Sequence, residues 1–141
     1  MIFMRKLPIC AALILALATG SAARAQDGEA MAGTHHVQQI AIQMSNFAYS
    51  PNSIELLSGS QYLLHFVNTG STGHDFASPE LFAAFTVAPE DRAKVADGSV
   101  EVEGGATVDV RVTAMRPGTY KFRCTHFLHT SFGMTGTAVI H

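Results

Sequence analysis

The sequence predicts an all-β fold: a Greek-key β-sandwich of about seven short strands with one short helical excursion. Three observations carry this expectation. Apolar residues recur at every second position in several short segments, as where Val108, Val110 and Val112 alternate with Asp109 and Arg111. Clusters of Gly, Pro, Ser and Asn punctuate the chain between those segments. The length, 141 residues, suits one domain, and the chain shows no internal repeat or low-complexity stretch.

Arg5 and Lys6 stand before an apolar run from Leu7 to Ala18, and Ala23-Arg24-Ala25 fits the small-x-small cleavage rule. Residues 1–25 are therefore expected to be a secretory signal peptide, cut before Gln26. The apolar run is short for a membrane span, and no span is expected after cleavage. Ile9 precedes Cys10, whereas a lipid-anchor cysteine follows a small residue at the cleavage site, so Cys10 is expected to leave with the signal. The remaining chain holds six basic and eleven acidic residues, a net charge of −5. Such a domain, with no basic run, is a poor nucleic-acid binder and would favour a basic docking partner. The expected location is the periplasm or outside the cell.

Residues 26–36 are small, polar and Gly-containing, and read as a flexible N-terminal arm in which His35 and His36 are solvated. The domain proper is expected over 37–141. Ile40, Ile42 and Met44 alternate with Ala41, Gln43 and Ser45 in the first strand. A short strand follows from Ser53 to Leu57, then the turn Ser58-Gly59-Ser60. Tyr62 to Asn68 is strongly β-prone, with His65 on the solvent face or satisfied in the core. His74-Asp75-Phe76 resumes extended structure. Pro79 to Phe85 has a proline at the first helical position and near-helical apolar spacing, so a short helix is expected, with a weaker turn over Pro89 to Val95. Strands return at Ser99 to Val102 and Thr107 to Thr113, joined by a hairpin-like turn at Gly104-Gly105. Arg116-Pro117-Gly118 is a turn, and the last strands are Gly118 to Cys124 and Met134 to Ile140.

The chemistry concentrates at Tyr120 to Met134. Cys124 is the single cysteine left after signal cleavage, so it cannot form an internal disulfide. Four residues separate Cys124 from His129, and four more separate His129 from Met134. Thiolate, imidazole and thioether are soft and borderline ligands that suit copper. The loop between two strands would curl these three groups round one point, and His74 could reach it from another loop. The set would be trigonal His2Cys with a weak axial Met. Cys124 would be deprotonated and both imidazoles neutral on binding. Met44 and Met115 read as core filler. His126, two after the cysteine, reads as a surface or supporting histidine, with competition for copper as the alternative.

These residues resemble the cupredoxins, the blue-copper family. The resemblance lies in Phe47-x-x-x-Pro51-x-x-Ile54, in Gly59 before the run ending at Asn68, in Gly73-His74-Asp75-Phe76, and above all in Tyr120-x-Phe122-x-Cys124-(x)4-His129-(x)4-Met134-x-Gly136. The two spacings are similar to those of rusticyanin and the plant stellacyanins. The resemblance implies a cupredoxin-like fold, one copper ion cycling between Cu(II) and Cu(I), and electron exit through His129. It also implies that Asp75 and Thr125 are hydrogen-bonded behind the ligands. Where many relatives have Pro-Gly before the loop histidine, this chain has Phe127-Leu128, expected to form an apolar collar.

The function expected is that of a periplasmic one-electron carrier, not an enzyme, since one short domain offers no second complete ligand set. The alternative is a periplasmic trafficking or resistance protein that binds and delivers copper. The partner would be a redox protein, or a copper donor or acceptor, and the chain would be a monomer.

Overall fold

The computed structural model describes residues 37–141 apart from Leu128 and Thr130. The signal segment, the arm 26–36, Cys10, His35 and His36 lie outside the described residues. Ten strands form two five-stranded sheets. The first sheet holds β1 (Gln38–Ser45), β2 (Ala48–Ser50), β4 (Gln61–Asn68), β6 (Phe85–Val87) and β8 (Thr107–Ala114), in the order β2-β1-β4-β8-β6. The second holds β3 (Ser53–Leu56), β5 (His74–Ala77), β7 (Ser99–Val102), β9 (Gly118–Arg123) and β10 (Thr135–Ile140), in the order β3-β10-β9-β5-β7. β1 with β4 and β3 with β10 are parallel pairs; the others are antiparallel. The expected helix is α1 (Pro79–Ala84), and the weaker turn is a 3-10 helix over Pro89–Lys94.

Among the described residues there are ten strands against about seven expected; β2 and β6 have three residues each, too few to show a period in sequence. The turn at Gly104-Gly105 is corrected. Ala106 N–H bonds Glu103 O at 3.0 Å, and Gly105 has φ +75°, so a turn is present. It is not a hairpin: β7 pairs with β5, whereas β8 pairs with β4 and β6 in the other sheet. Local turn chemistry sets a change of direction; which sheet each strand joins is set by the apolar faces that must meet.

Between the sheets lie Ile42, Met44, Leu64, Phe66, Val110 and Val112 from the first and Ile54, Leu56, Phe76, Val100, Phe122 and Ile140 from the second, all buried. The centre is aromatic. Phe76 and Phe122 stack at 4.4 Å, Phe66 meets Phe76 at 5.1 Å, and Tyr49 stands edge-on to Phe122 at 5.1 Å. The Tyr49 hydroxyl donates to Asp75 O at 2.5 Å and so ties β2 to the opposite sheet. Burial raises its pKa, so the hydroxyl keeps its proton and stays a donor. His65 points outward and pairs with Asp109 at 2.6 Å, its register partner on β8.

Away from the aromatic centre, Asp91 of the 3-10 helix is buried. It accepts hydrogen bonds from Lys94 Nζ at 2.7 Å and Arg111 N–H at 2.9 Å. Burial acts to raise its carboxyl, but the bonds from Lys94 and Arg111 and their charges outweigh this and hold it below the usual value. A depressed carboxyl contributes stability above its unfolded value, 3.8, and loses it as pH falls through the folded one. Asp91→Asn is expected to cost about 1–3 kcal/mol at pH 7. The gap to the unaltered protein should narrow in denaturant titrations below pH 4, and a gap independent of pH would contradict this account.

Gly136 pairs with Phe122 across β9 and β10. A Cβ there would lie 2.2 Å from Phe122 Cζ and 2.5 Å from Asn52 O. Gly136→Ala must displace a central ring or backbone and is expected to destabilise by about 1–3 kcal/mol, read by thermal or urea unfolding. An unchanged midpoint would mean the ring has room to move.

Candidate metal centre

β5 and β9 share a single register pair, Ala77 with Arg123. Beyond it the strands part, and the candidate ligands lie in the parting. Strand alternation sets their direction. His74 and Phe76 of β5 face inward, as do Phe122 of β9 and Cys124 just after it; Asp75 and Thr125 take the other face. Cys124 remains anchored to the far side of the hairpin, since its N–H bonds Met134 O at 3.1 Å. The loop is closed by His129 N–H to His126 O at 3.1 Å and Met134 N–H to His129 O at 3.0 Å.

Three donor atoms converge. His74 Nδ1 and His129 Nδ1 are 3.1 Å apart; Cys124 Sγ is 3.3 Å from His129 Nδ1 and 3.9 Å from His74 Nδ1. Ligand bonds of roughly 2.0–2.3 Å in a trigonal plane separate their donors by roughly 3.5–4 Å. The Cys124–His74 edge lies in that range, and the other two fall short of it by a few tenths of an ångström. His74 and Cys124 are fully buried, and His129 is partly exposed. With both Nδ1 atoms turned to one point, the residues fit copper held by two imidazoles and a thiolate. Met134 is fully buried and hydrogen-bonded through its backbone to both Cys124 and His129, which places the residue, though not by itself its sulfur, at the centre.

The surroundings are set for neutral imidazole. Burial, followed by the neighbouring His129 and His126, lowers the pKa of His74. Its Nε2 is buried without a hydrogen-bond partner among the described residues. That atom lies against Gly70, where a Cβ would come within 3.1 Å of it, so the bare glycine makes room for the ring. Burial pushes the Cys124 thiol up to about 11. Metal binding must therefore displace the thiol proton.

Asp75 spans the gap between β5 and the loop. Its Oδ1 accepts from Thr125 N–H at 2.6 Å, and its Oδ2 from Thr125 Oγ1 at 2.7 Å and Ser99 Oγ at 2.9 Å. Burial acts to raise this carboxyl; the bonds from Thr125, Cys124 and Ser99 prevail and hold it below the usual range.

Several neighbours were not legible in sequence. Phe47, with φ +63°, stands edge-on to the His129 ring at 5.2 Å and touches Phe132 at 4.9 Å. Phe47 thus lies against His129, and Phe132 lies against Phe47. Phe127 is 87% exposed, and Leu128 lies outside the described residues; among the described residues the apolar aromatic ring against His129 is that of Phe47. His126 stacks on His129 at 5.7 Å and pairs with Glu101. Ser99, Glu101 and Phe47 come from distant segments, and only strand pairing brings them here.

Asp75→Ala removes the acceptor for Thr125 N–H at a part-buried position. We expect a loss of about 1–3 kcal/mol in urea unfolding, with Asp75→Asn losing less because one oxygen remains. Equal, negligible losses in both would contradict the bridging role.

The sequence matches the cupredoxin-like domain family over residues 9–140. None of the curated proteins matches it in sequence. Among solved structures it is similar to sodium-dithionite-reduced auracyanin from the photosynthetic bacterium Roseiflexus castenholzii, with 21% identity and TM-score 0.56 over 74% of this chain and 97% of that one. Auracyanin B matches with 21% identity and TM-score 0.54 over 74% and 88%. A multicopper oxidase from Campylobacter jejuni, a metallo-oxidase, matches with 12% identity and TM-score 0.55 over 73% of this chain but 30% of that one. At these identities the structures speak for the fold alone. With the family match spanning nearly its whole length, the chain belongs to the cupredoxin-like domain family.

Proposed function

We propose that the chain is a secreted or periplasmic type 1 copper protein that carries single electrons, and that residues 1–25 are its signal peptide. His74, Cys124 and His129 are the equatorial ligands in this reading, with Met134 as the weak axial one. The observation that carries it is the triangle of donor atoms, 3.1–3.9 Å on its edges and drawn from two separate segments. Bound copper would supply the Cu(II)/Cu(I) couple. The protein's part is to hold His74 and Cys124 in a dry, packed interior and to keep the ligand geometry fixed between oxidation states. Asp75 and Thr125 brace the cysteine loop against β5. His129 alone of the three approaches solvent, beside Phe47, and is the proposed edge for electron exchange with a partner.

Copper delivery is the second reading. It draws on His126, which stacks against His129 on the exposed side and could take metal from it. Rapid copper transfer to a chelating acceptor, with slow electron exchange, would favour delivery over electron carriage.

Adding Cu(II) to the purified protein is expected to give an intense blue colour that Cys124→Ala abolishes. Met134→Leu should keep the colour and raise the reduction potential, since a donor to Cu(II) is lost. A colourless copper complex of the unaltered protein would exclude the type 1 assignment.

A further inference from the structure

β5 presents two faces, and each carries a group of metal-ligating side chains. The inward face bears the triad described above. On the outward face, Asp75 lies directly opposite Glu101 of β7, and His126 reaches over from the loop after Cys124. One ligand atom from each of Asp75, Glu101 and His126 lies within 4.8 Å of the others. His126 Nε2 is 3.0 Å from both Glu101 carboxylate oxygens.

The backbone beside this group leaves room. A Cβ on Gly73 would lie 2.8 Å from Glu101 Oε1, 3.4 Å from His126 Cε1 and 3.9 Å from Glu103 Oε2. The absent side chain thus leaves a cradle faced by an imidazole and two carboxylates. Glu101 and Glu103 stand two residues apart, an interval that puts strand side chains on one face. His126 and Glu101 are 36% and 49% exposed, so a cation can enter from solvent, while Asp75 closes the site from the buried side.

We propose that Glu101 and His126, backed by Asp75 and with Glu103 at the rim, form a second metal site for a divalent first-row ion, separate from the cysteine centre. The donor set is one imidazole nitrogen with carboxylate oxygens and no sulfur. Zn(II) accepts such ligands at about 2.0–2.2 Å, and imidazole also suits Cu(II). The ion would replace the direct His126–Glu101 contact. None of its ligands belongs to the triad, so the site stands whether or not the cysteine centre carries electrons.

The test is a calorimetric Zn(II) titration of the full chain supplied with one equivalent of copper. It is carried out in a His35→Ala/His36→Ala background to remove the histidines of the N-terminal arm. The expected result is uptake of one Zn(II), weakened at least fivefold by Glu101→Gln and by His126→Ala. No uptake, or a less than fivefold change on Glu101→Gln, would overturn the proposal. Glu101 is not one of the cysteine centre's ligands in this scheme, so its variant separates the two sites. Failure of the cysteine centre would show as absence of blue colour and would leave the zinc comparison readable.

Discussion

The centre depends on how β5 leaves β9. The two strands share one register pair, Ala77 with Arg123. Beyond it no further register pair joins β5 to the chain after β9 among the described residues. The Asp75 carboxylate replaces the missing ladder, taking the Thr125 N–H and hydroxyl and the Ser99 hydroxyl. An ionised carboxylate can accept several bonds at once, and charge-assisted bonds are the stronger kind. One buried side chain thereby holds two separating segments at a fixed distance.

Packing fixes the same distance from below. Phe76 and Phe122 sit one inward step from His74 and Cys124 respectively, and they stack at 4.4 Å. Their stacking sets the spacing of the strands that carry the ligands. Tyr49 adds a link to the other sheet through Asp75 O, and Gly136 gives the Phe122 ring its place. A shift in this aromatic group would be felt at the ligands, because close-packed interiors transmit strain. The loop from Thr125 to Gly133 is held at its ends by the Cys124–Met134 and Met134–His129 backbone bonds.

What sequence revealed and what it hid follow from range. The strands with period-two alternation, such as that read over Thr107 to Thr113, were legible because one face of each meets the core. The proline that begins α1 was legible for its fixed φ. The candidate ligands His74, Cys124 and His129 could be named because Cys124 is the single cysteine after residue 10, His129 follows it after four residues, and the Gly73-His74-Asp75-Phe76 stretch resembles the family's. The route of β7 into the sheet opposite β8 was not legible, since glycines at a turn say nothing about pairing partners. Neither was the seat of Phe47 beside His129, which depends on a left-handed residue between β1 and β2. The outward group of Glu101 and His126 was hidden for the same reason: pairing of β5 with β7 creates it.

The most direct measurement is copper-edge X-ray absorption on the copper-loaded protein. One sulfur and two imidazole nitrogens at short bonding distance are the predicted shell, and the sulfur should vanish from it in Cys124→Ser. A shell of nitrogen and oxygen alone in the unaltered protein would contradict the account, because copper would then be held without the buried thiolate.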